Sequence, residues 1–182
     1  GIYFVDSRIC ENDKIILEQK RKKKLEGKRP SESQITLTQL MGPTNANTLG
    51  NVHGGLIMKM CDEAGGMAAT KHARHPSVTV TVDSMNFHSA VNIGNLMTVR
   101  AEVTWVGRTS METRVVVTAE NVITGKVTHT NTAYFVYVAL DENGRPAPVP
   151  PLILDSDEQK GRFERAAQRQ AQRLQRRQQE NQ

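Results

Sequence analysis

Four long strand-like stretches crowd residues 78–140, and a single apolar helix precedes them; this imbalance constrains the fold more than any other feature. Val78 to Ser89 is rich in β-branched residues. Met97, Val99, Ala101, Val103 and Trp105 then alternate with Thr98, Arg100, Glu102 and Thr104, one face apolar and the other polar. Met111, Thr113, Val115, Val117 and Ala119 repeat that pattern against Glu112, Arg114, Val116, Thr118 and Glu120. In the last stretch, Lys126 to Leu140, Tyr134, Val136 and Val138 oppose Phe135 and Tyr137. Short turns at Val106-Gly107-Arg108 and Thr124-Gly125 predict antiparallel neighbours. Upstream, Ile35 to Leu40 reads as a first strand ending at Gly42-Pro43, and the helix runs from about His53 to Lys71. The expected order is strand, helix, then four strands in a meander. That is an α+β domain, an antiparallel sheet of about five strands curled around one long helix.

At 182 residues the chain suits one domain with a proper core. A net charge of +5 would suit a nucleic-acid binder, so its placement matters. Residues 1–30 carry nine basic and five acidic side chains, and residues 155–182 carry seven and five. The span 31–154 is left with eight basic and nine acidic groups, so the basicity belongs to the tails and no nucleic-acid partner is expected. Two cysteines, Cys10 and Cys61, make neither a disulfide framework nor a metal spacing, which points to a reducing compartment. No run of eighteen apolar residues exists, so no membrane association is expected and the predicted location is cytoplasmic.

The chain divides into a basic extension (1–33), a central domain (34–154) and a Gln/Arg-rich helix or tail (155–182). The opening residues, headed by Gly rather than Met, read as a processed or added end. Lys14 to Arg29 is a charged, helical or frayed segment whose run Arg21-Lys22-Lys23-Lys24 reads as solvated tail. Ser156 is a helix N-cap candidate followed by acidic Asp157 and Glu158. The stripe Phe163, Ala167, Ala171 and Leu174 is thin, so a docked first turn and a fraying, solvated end are expected.

Chemistry concentrates between Asn51 and Asp62, where a glycine-rich turn feeds an apolar helix with a carboxylate inside it. Desolvating an unpaired carboxylate is costly, so Asp62 is either paired across an interface or a general base drawing a proton from water. Glu63 competes for that role but has Lys59 four residues before it. Asn51 is a candidate to orient the water or a substrate carbonyl, turn formation being its plain alternative. At about 1.5 Å rise per residue, Asn51 and Asp62 of one chain lie roughly 15 Å apart. A site using both takes one from each of two protomers, which predicts an obligate oligomer. Gly54 and Gly55 offer helix-terminal N–H groups for a developing negative oxygen, or else merely tight packing. His53 reads as a helix-entry residue bonded to backbone, with a catalytic role as the alternative, although no GxSxG elbow or HExxH motif assembles a nucleophile around it. His72, His75, His88 and His129 show no zinc spacing, and no metal is expected.

Three segments together resemble a known family: Gly50-Asn51-Val52-His53-Gly54-Gly55, Met60-Cys61-Asp62-Glu63-Ala64-Gly65 and Val82-Asp83-Ser84-Met85-Asn86-Phe87. With Tyr134 to Val138 and Pro148-Val149-Pro150, residues 34–165 are similar to the hot-dog-fold acyl-CoA thioesterases, specifically single-domain bacterial relatives of the cytosolic long-chain and brain acyl-CoA hydrolases. The resemblance implies hydrolysis of fatty acyl-CoA to free acid and CoA. Asp62 would be the base and Asn51 of the partner protomer would position water or substrate, with backbone N–H groups of His53, Gly54 and Gly55 as the oxyanion hole. It implies a homodimer with two sites, assembling into a hexamer as a trimer of dimers, and no cofactor beyond the CoA of the substrate. Arg108, Thr109 and Ser110 are expected on the CoA phosphates, with a plain hairpin turn as the alternative, and Asn86 and Phe87 along the pantetheine path. A non-catalytic acyl-CoA-binding regulator on the same fold is the competing reading. A dehydratase would need an Asp and His pair that is not found here.

Overall fold

The computed structural model describes residues 25–180, so the expectation of a solvated Arg21–Lys24 run lies outside the described residues. A one-turn helix α1 (Pro30–Ser33) leads into β1 (Ile35–Leu40), followed by a 3-10 turn (Pro43–Asn45) and the long helix α2 (Gly54–Ala73). Then come β2 (Ser77–Phe87), β3 (Asn95–Val106), β4 (Ser110–Asn121), β5 (Lys126–Ala139) and the C-terminal helix α3 (Asp157–Glu180). The sheet order is β1-β3-β4-β5-β2, antiparallel throughout.

The expected four-strand meander is corrected here. Only β3, β4 and β5 follow one another as neighbours, while β2 pairs with β5. The physical reason lies in the connections. The β3–β4 and β4–β5 links are tight, closed by Gly107 N–H donating to Ser110 O at 2.8 Å and by Gly125 at φ +70°. The seven residues between β2 and β3 form no such turn and carry the chain across to the opposite flank. The result leaves β2, eleven residues long, at one edge of the sheet with Val78, Val80 and Val82 exposed.

The inner face of the sheet is the apolar face read from the alternation. Met97, Val99, Ala101, Val103, Met111, Val115, Val117, Ala133, Phe135, Tyr137 and Ala139 are all buried against α2. That helix presents Ile57, Cys61, Ala64, Gly65, Ala68, Ala69 and His72 at helical spacing, small residues in its middle turns. A Cβ on Gly65 would stand 2.5 Å from the Tyr137 hydroxyl and 2.9 Å from Thr113 Oγ1, so only glycine lets the sheet approach this closely.

The C-terminal helix corrects a second expectation. Ser156 caps it as anticipated, its Oγ accepting from Gln159 N–H at 3.2 Å, but docking continues far past the first turn. The docked face is Arg162, Ala166, Arg169 and Arg173, whereas Leu174 of the expected apolar stripe is 52% exposed. Arg169 and Arg173 converge on the fully buried Glu112 of β4, at 2.6 and 3.1 Å. Arg173 also reaches Asp83 of β2 at 3.0 Å, and Arg162 pairs with Glu102. Helix docking by arginine forks leaves no apolar periodicity to read.

Candidate active site

The loop entering α2 is organised by Asn47, through its backbone and its side chain, and by the backbone of Asn51. Asn47 N–H donates to Asn51 O at 2.7 Å, while the Asn47 side-chain oxygen accepts from Leu49 N–H and Asn51 N–H at 2.9 and 3.1 Å. With Oδ1 doubly engaged, the Asn47 amide is fixed with its NH2 group left to donate. The Asn51 side chain makes no hydrogen bond among the described residues, although its backbone bridges to Asn92.

His53 is the N-cap of α2, and its Nδ1 accepts from Gly55 N–H at 3.0 Å. Its own N–H donates to Asn45 O at 2.9 Å. Of the three backbone donors expected at this terminus, His53 and Gly55 are thus already engaged within the chain. Gly54 N–H stands at the first helical position, where the helix supplies no acceptor. The Phe87 ring flanks that position, its Cζ 3.8 Å from where a Gly54 Cβ would lie.

Asp62 sits more than two turns down the helix, half-buried and facing the sheet. Its Oδ1 accepts from Thr79 Oγ1 at 2.7 Å and from the Tyr137 hydroxyl at 3.1 Å. Tyr137 also reaches the Asp62 carbonyl, at 3.0 Å. No described residue donates to Oδ2, which leaves one carboxylate oxygen for a ligand. Burial first, then the Asp62 charge, pushes the Tyr137 phenol well above its ordinary range, so it serves as a fixed donor. The neighbouring Cys61 thiol is buried and pushed up to about 12, mainly by desolvation, which makes it unreactive. Thr79 and Tyr137 were not singled out from the sequence as partners of Asp62. Glu63, by contrast, faces solvent and pairs with Lys59 at 3.4 Å, as its spacing suggested.

The remaining candidates fall at opposite ends of the sheet. Asn86 and Phe87 lie near the N-terminus of α2, while Arg108, Thr109 and Ser110 form the β3–β4 turn. Through the ladder Phe87 stands level with Asn131, Val117 and Val99, nine positions from Arg108 on the chain and roughly 30 Å along the strands. Asp62 belongs to the turn's end, because Tyr137 pairs with Met111. A single chain therefore carries two separate clusters of candidate residues: the α2 entry loop with Phe87, and the Asp62, Thr79 and Tyr137 group at the end of the sheet that holds the 107–110 turn. Among the described residues no three His, Cys, Asp or Glu side chains are placed to share a metal ion, and no helix is long and apolar enough to cross a membrane.

A family profile described as the thioesterase superfamily matches residues 49–126. The cytosolic acyl coenzyme A thioester hydrolase of Rattus norvegicus is 38% identical over 136 residues, covering 74% of this chain and 36% of the relative. The chain thus spans about a third of the length of the first curated relatives it matches. A solved hexameric acyl-CoA thioesterase is 35% identical with a TM-score of 0.80, the match covering 84% of this chain and 97% of that one. The acyl-CoA hydrolase of Staphylococcus aureus, solved with butyryl coenzyme A, coenzyme A and coenzyme A disulfide, is 30% identical with a TM-score of 0.78, covering 84% and 93%. Further structures of that enzyme carry single alanine replacements of an Asn, an Asp and a Thr, the Asp fifteen positions after the Asn and the Thr seventeen after the Asp.

Proposed function

Since the chain belongs to the thioesterase superfamily, with acyl-CoA thioester hydrolases as its relatives, we propose that it hydrolyses fatty acyl-CoA to the free acid and CoA. The observation that carries this reading is the Asp62 carboxylate, held through one oxygen by Thr79 and Tyr137 and presenting the other. Water on Oδ2 gives its proton to Asp62 as its oxygen attacks the thioester carbonyl. The C–S bond then breaks, CoA leaves as thiolate, and the proton held by Asp62 is returned to it. Gly54 N–H, at the positive end of α2, faces the oxygen that becomes negative. No cofactor is required, since a thiolate is a good leaving group and CoA is part of the substrate.

Counting from Asp62, the intervals of the S. aureus replacements fall on Asn47 and Thr79. Thr79 is the residue whose hydroxyl binds Asp62 here, which supports the alignment. We therefore assign the substrate-facing amide to Asn47, whose NH2 is oriented by its engaged oxygen, and give Asn51 the task of holding that loop.

The two clusters, read as half-sites, imply completion by a second copy. The long, valine-rich β2 edge is the natural seam. Antiparallel pairing of two β2 strands centred near Asp83 sets Thr79 of one protomer opposite Phe87 of its partner. Each dimer then carries two sites, with Asn47 and Gly54 from one protomer and Asp62 from the other. The hexameric relative supports further assembly as a trimer of dimers. Arg108, Thr109 and Ser110 take the CoA phosphates, and Asn86 and Phe87 line the pantetheine path.

Free-thiol release from acyl-CoAs of graded chain length tests the reaction. Asp62→Ala should lose on the order of a hundredfold or more in kcat with its oligomer intact. Asn47→Ala should lose more than Asn51→Ala, and the reverse order would return the role to Asn51. Stoichiometric acyl-CoA binding without turnover in the unmodified protein would show a binding regulator instead.

A further inference from the structure

We infer that His72 is a positioning residue for the CoA-binding turn, coupling the β3–β4 turn to the helix that carries Asp62 through the exit segment 147–153. This rests on the assignment of Arg108 to the CoA phosphates.

His72 is fully buried in the last turn of α2 and takes no part in the proposed chemistry. Its Nε2 lies 2.9 Å from Pro150 O, a carbonyl, so Nε2 carries the proton and donates. The unprotonated Nδ1 lies 3.4 Å from the buried Ser33 hydroxyl, whose single proton is shared between this nitrogen and Pro30 O at 3.3 Å. One residue before Pro150, Val149 N–H donates to Arg108 O at 3.1 Å. Ala147 N–H donates to Ala139 O at 2.8 Å, and Ala139 N–H to Thr109 O at 3.0 Å. The Arg108 and Thr109 carbonyls are thus held, the first by the exit segment and the second by β5. The Arg108 side chain, exposed, makes no hydrogen bond or ion pair among the described residues.

The other side of the exit segment is clasped as well. Lys28 N–H donates to Pro151 O and Ile153 N–H to Lys28 O, each at 2.9 Å, while Lys28 Nζ donates to His72 O at 2.7 Å. An irregular segment with no sheet of its own is therefore fixed from α2 and from the N-terminal side at the same place. A helical residue ten positions after Asp62 sets how far the phosphate end of the substrate sits from the base. Losing the His72 bond frees Pro150 O, loosens Val149 and with it the backbone of Arg108. The thioester end, held by Thr79 and Tyr137, is unaffected.

The test compares an acyl-CoA with the N-acetylcysteamine thioester of the same acid, which lacks the phosphates. His72→Leu should raise KM for acyl-CoA about tenfold, with kcat held and with KM for the short thioester unchanged. His72→Gln, whose amide can still donate to Pro150 O, should restore most of that loss. Ser33→Ala should show the same selectivity to a smaller degree, and it serves if His72→Leu fails to fold. Equal losses on both substrates, or no change on either, would overturn the inference. Arg108→Ala separates the premise: if its KM for acyl-CoA is unchanged, the turn does not bind the phosphates and the inference goes with it, while the hydrolase reading stands on Asp62.

Discussion

The two long helices cover opposite faces of one sheet by opposite means. On the inner face α2 packs with Ala64, Gly65, Ala68 and Ala69, and side-chain size sets the closeness of approach. On the outer face α3 is held by Arg162, Arg169 and Arg173 reaching down to Glu102, Glu112 and Asp83. The first seam is non-directional and intolerant of added volume. The second is directional and intolerant of a lost partner. The acidic excess of the central domain and the basic excess of the C-terminal segment are therefore partly one feature, two halves of an ion-paired seam.

The largest effect is expected from breaking the outer seam at its buried anion. Glu112→Ala takes from Arg169 its carboxylate partner and leaves Arg173 with the Asp83 carboxylate alone, and unfolding in denaturant should show a loss of about 3 kcal/mol. Changing Glu112, Arg169 and Arg173 to Met together with Asp83→Asn should recover much of it, because neutralising all four members of the cluster removes the desolvation cost along with the attraction. If the single and quadruple variants are equally unstable, α3 is held by shape rather than by charge and the contrast between the helices fails.

The inner seam breaks by addition. Gly65→Ala places a methyl group 2.5 Å from the Tyr137 hydroxyl, and about 2 kcal/mol of stability should be lost to overpacking. This change also touches chemistry. Tyr137 must retreat from Asp62, so thiol release should fall further than stability predicts, whereas Glu112→Ala at a permissive temperature should retain kcat. Equal kinetic effects of the two variants would mean that the outer seam also positions Asp62.

The sequence was legible where packing is periodic. The alternation in β3, β4 and β5 and the apolar stripe of α2 report burial directly, and the inner face is the one they indicated. Ser156 was legible as a cap because a cap is a local device. The seat of β2 was not, because strand order depends on where a seven-residue connection crosses the sheet, and no residue pattern encodes that crossing. The docking of α3 was hidden for another reason: Arg169 and Glu112 are 57 residues apart, and each alone reads as a solvated charge. The partners of Asp62 were hidden in the same way. Thr79 and Tyr137 look like ordinary strand residues until β2 and β5 are set side by side over the helix.

The smallest expected effect is a pH dependence confined to the inner helix. Burial, foremost, and the Lys28 charge hold the His72 imidazole below its ordinary value, against the favourable Pro150 carbonyl and Glu32. Above about pH 6.5 the ring is neutral in both folded and unfolded chains, so its bonds contribute fully. As pH falls below that value the unfolded chain takes up the proton first, and stability declines until the depressed folded value is reached. The slope for one such group is at most about 1.4 kcal/mol per pH unit. Melting curves between pH 7 and pH 5 should show this limb, and His72→Gln should flatten it. A limb unchanged in His72→Gln would place the titrating group elsewhere. Because His72→Gln retains a donor toward Pro150, it should lose the acid limb while keeping the acyl-CoA KM, which separates the proton carried by this residue from the position it holds.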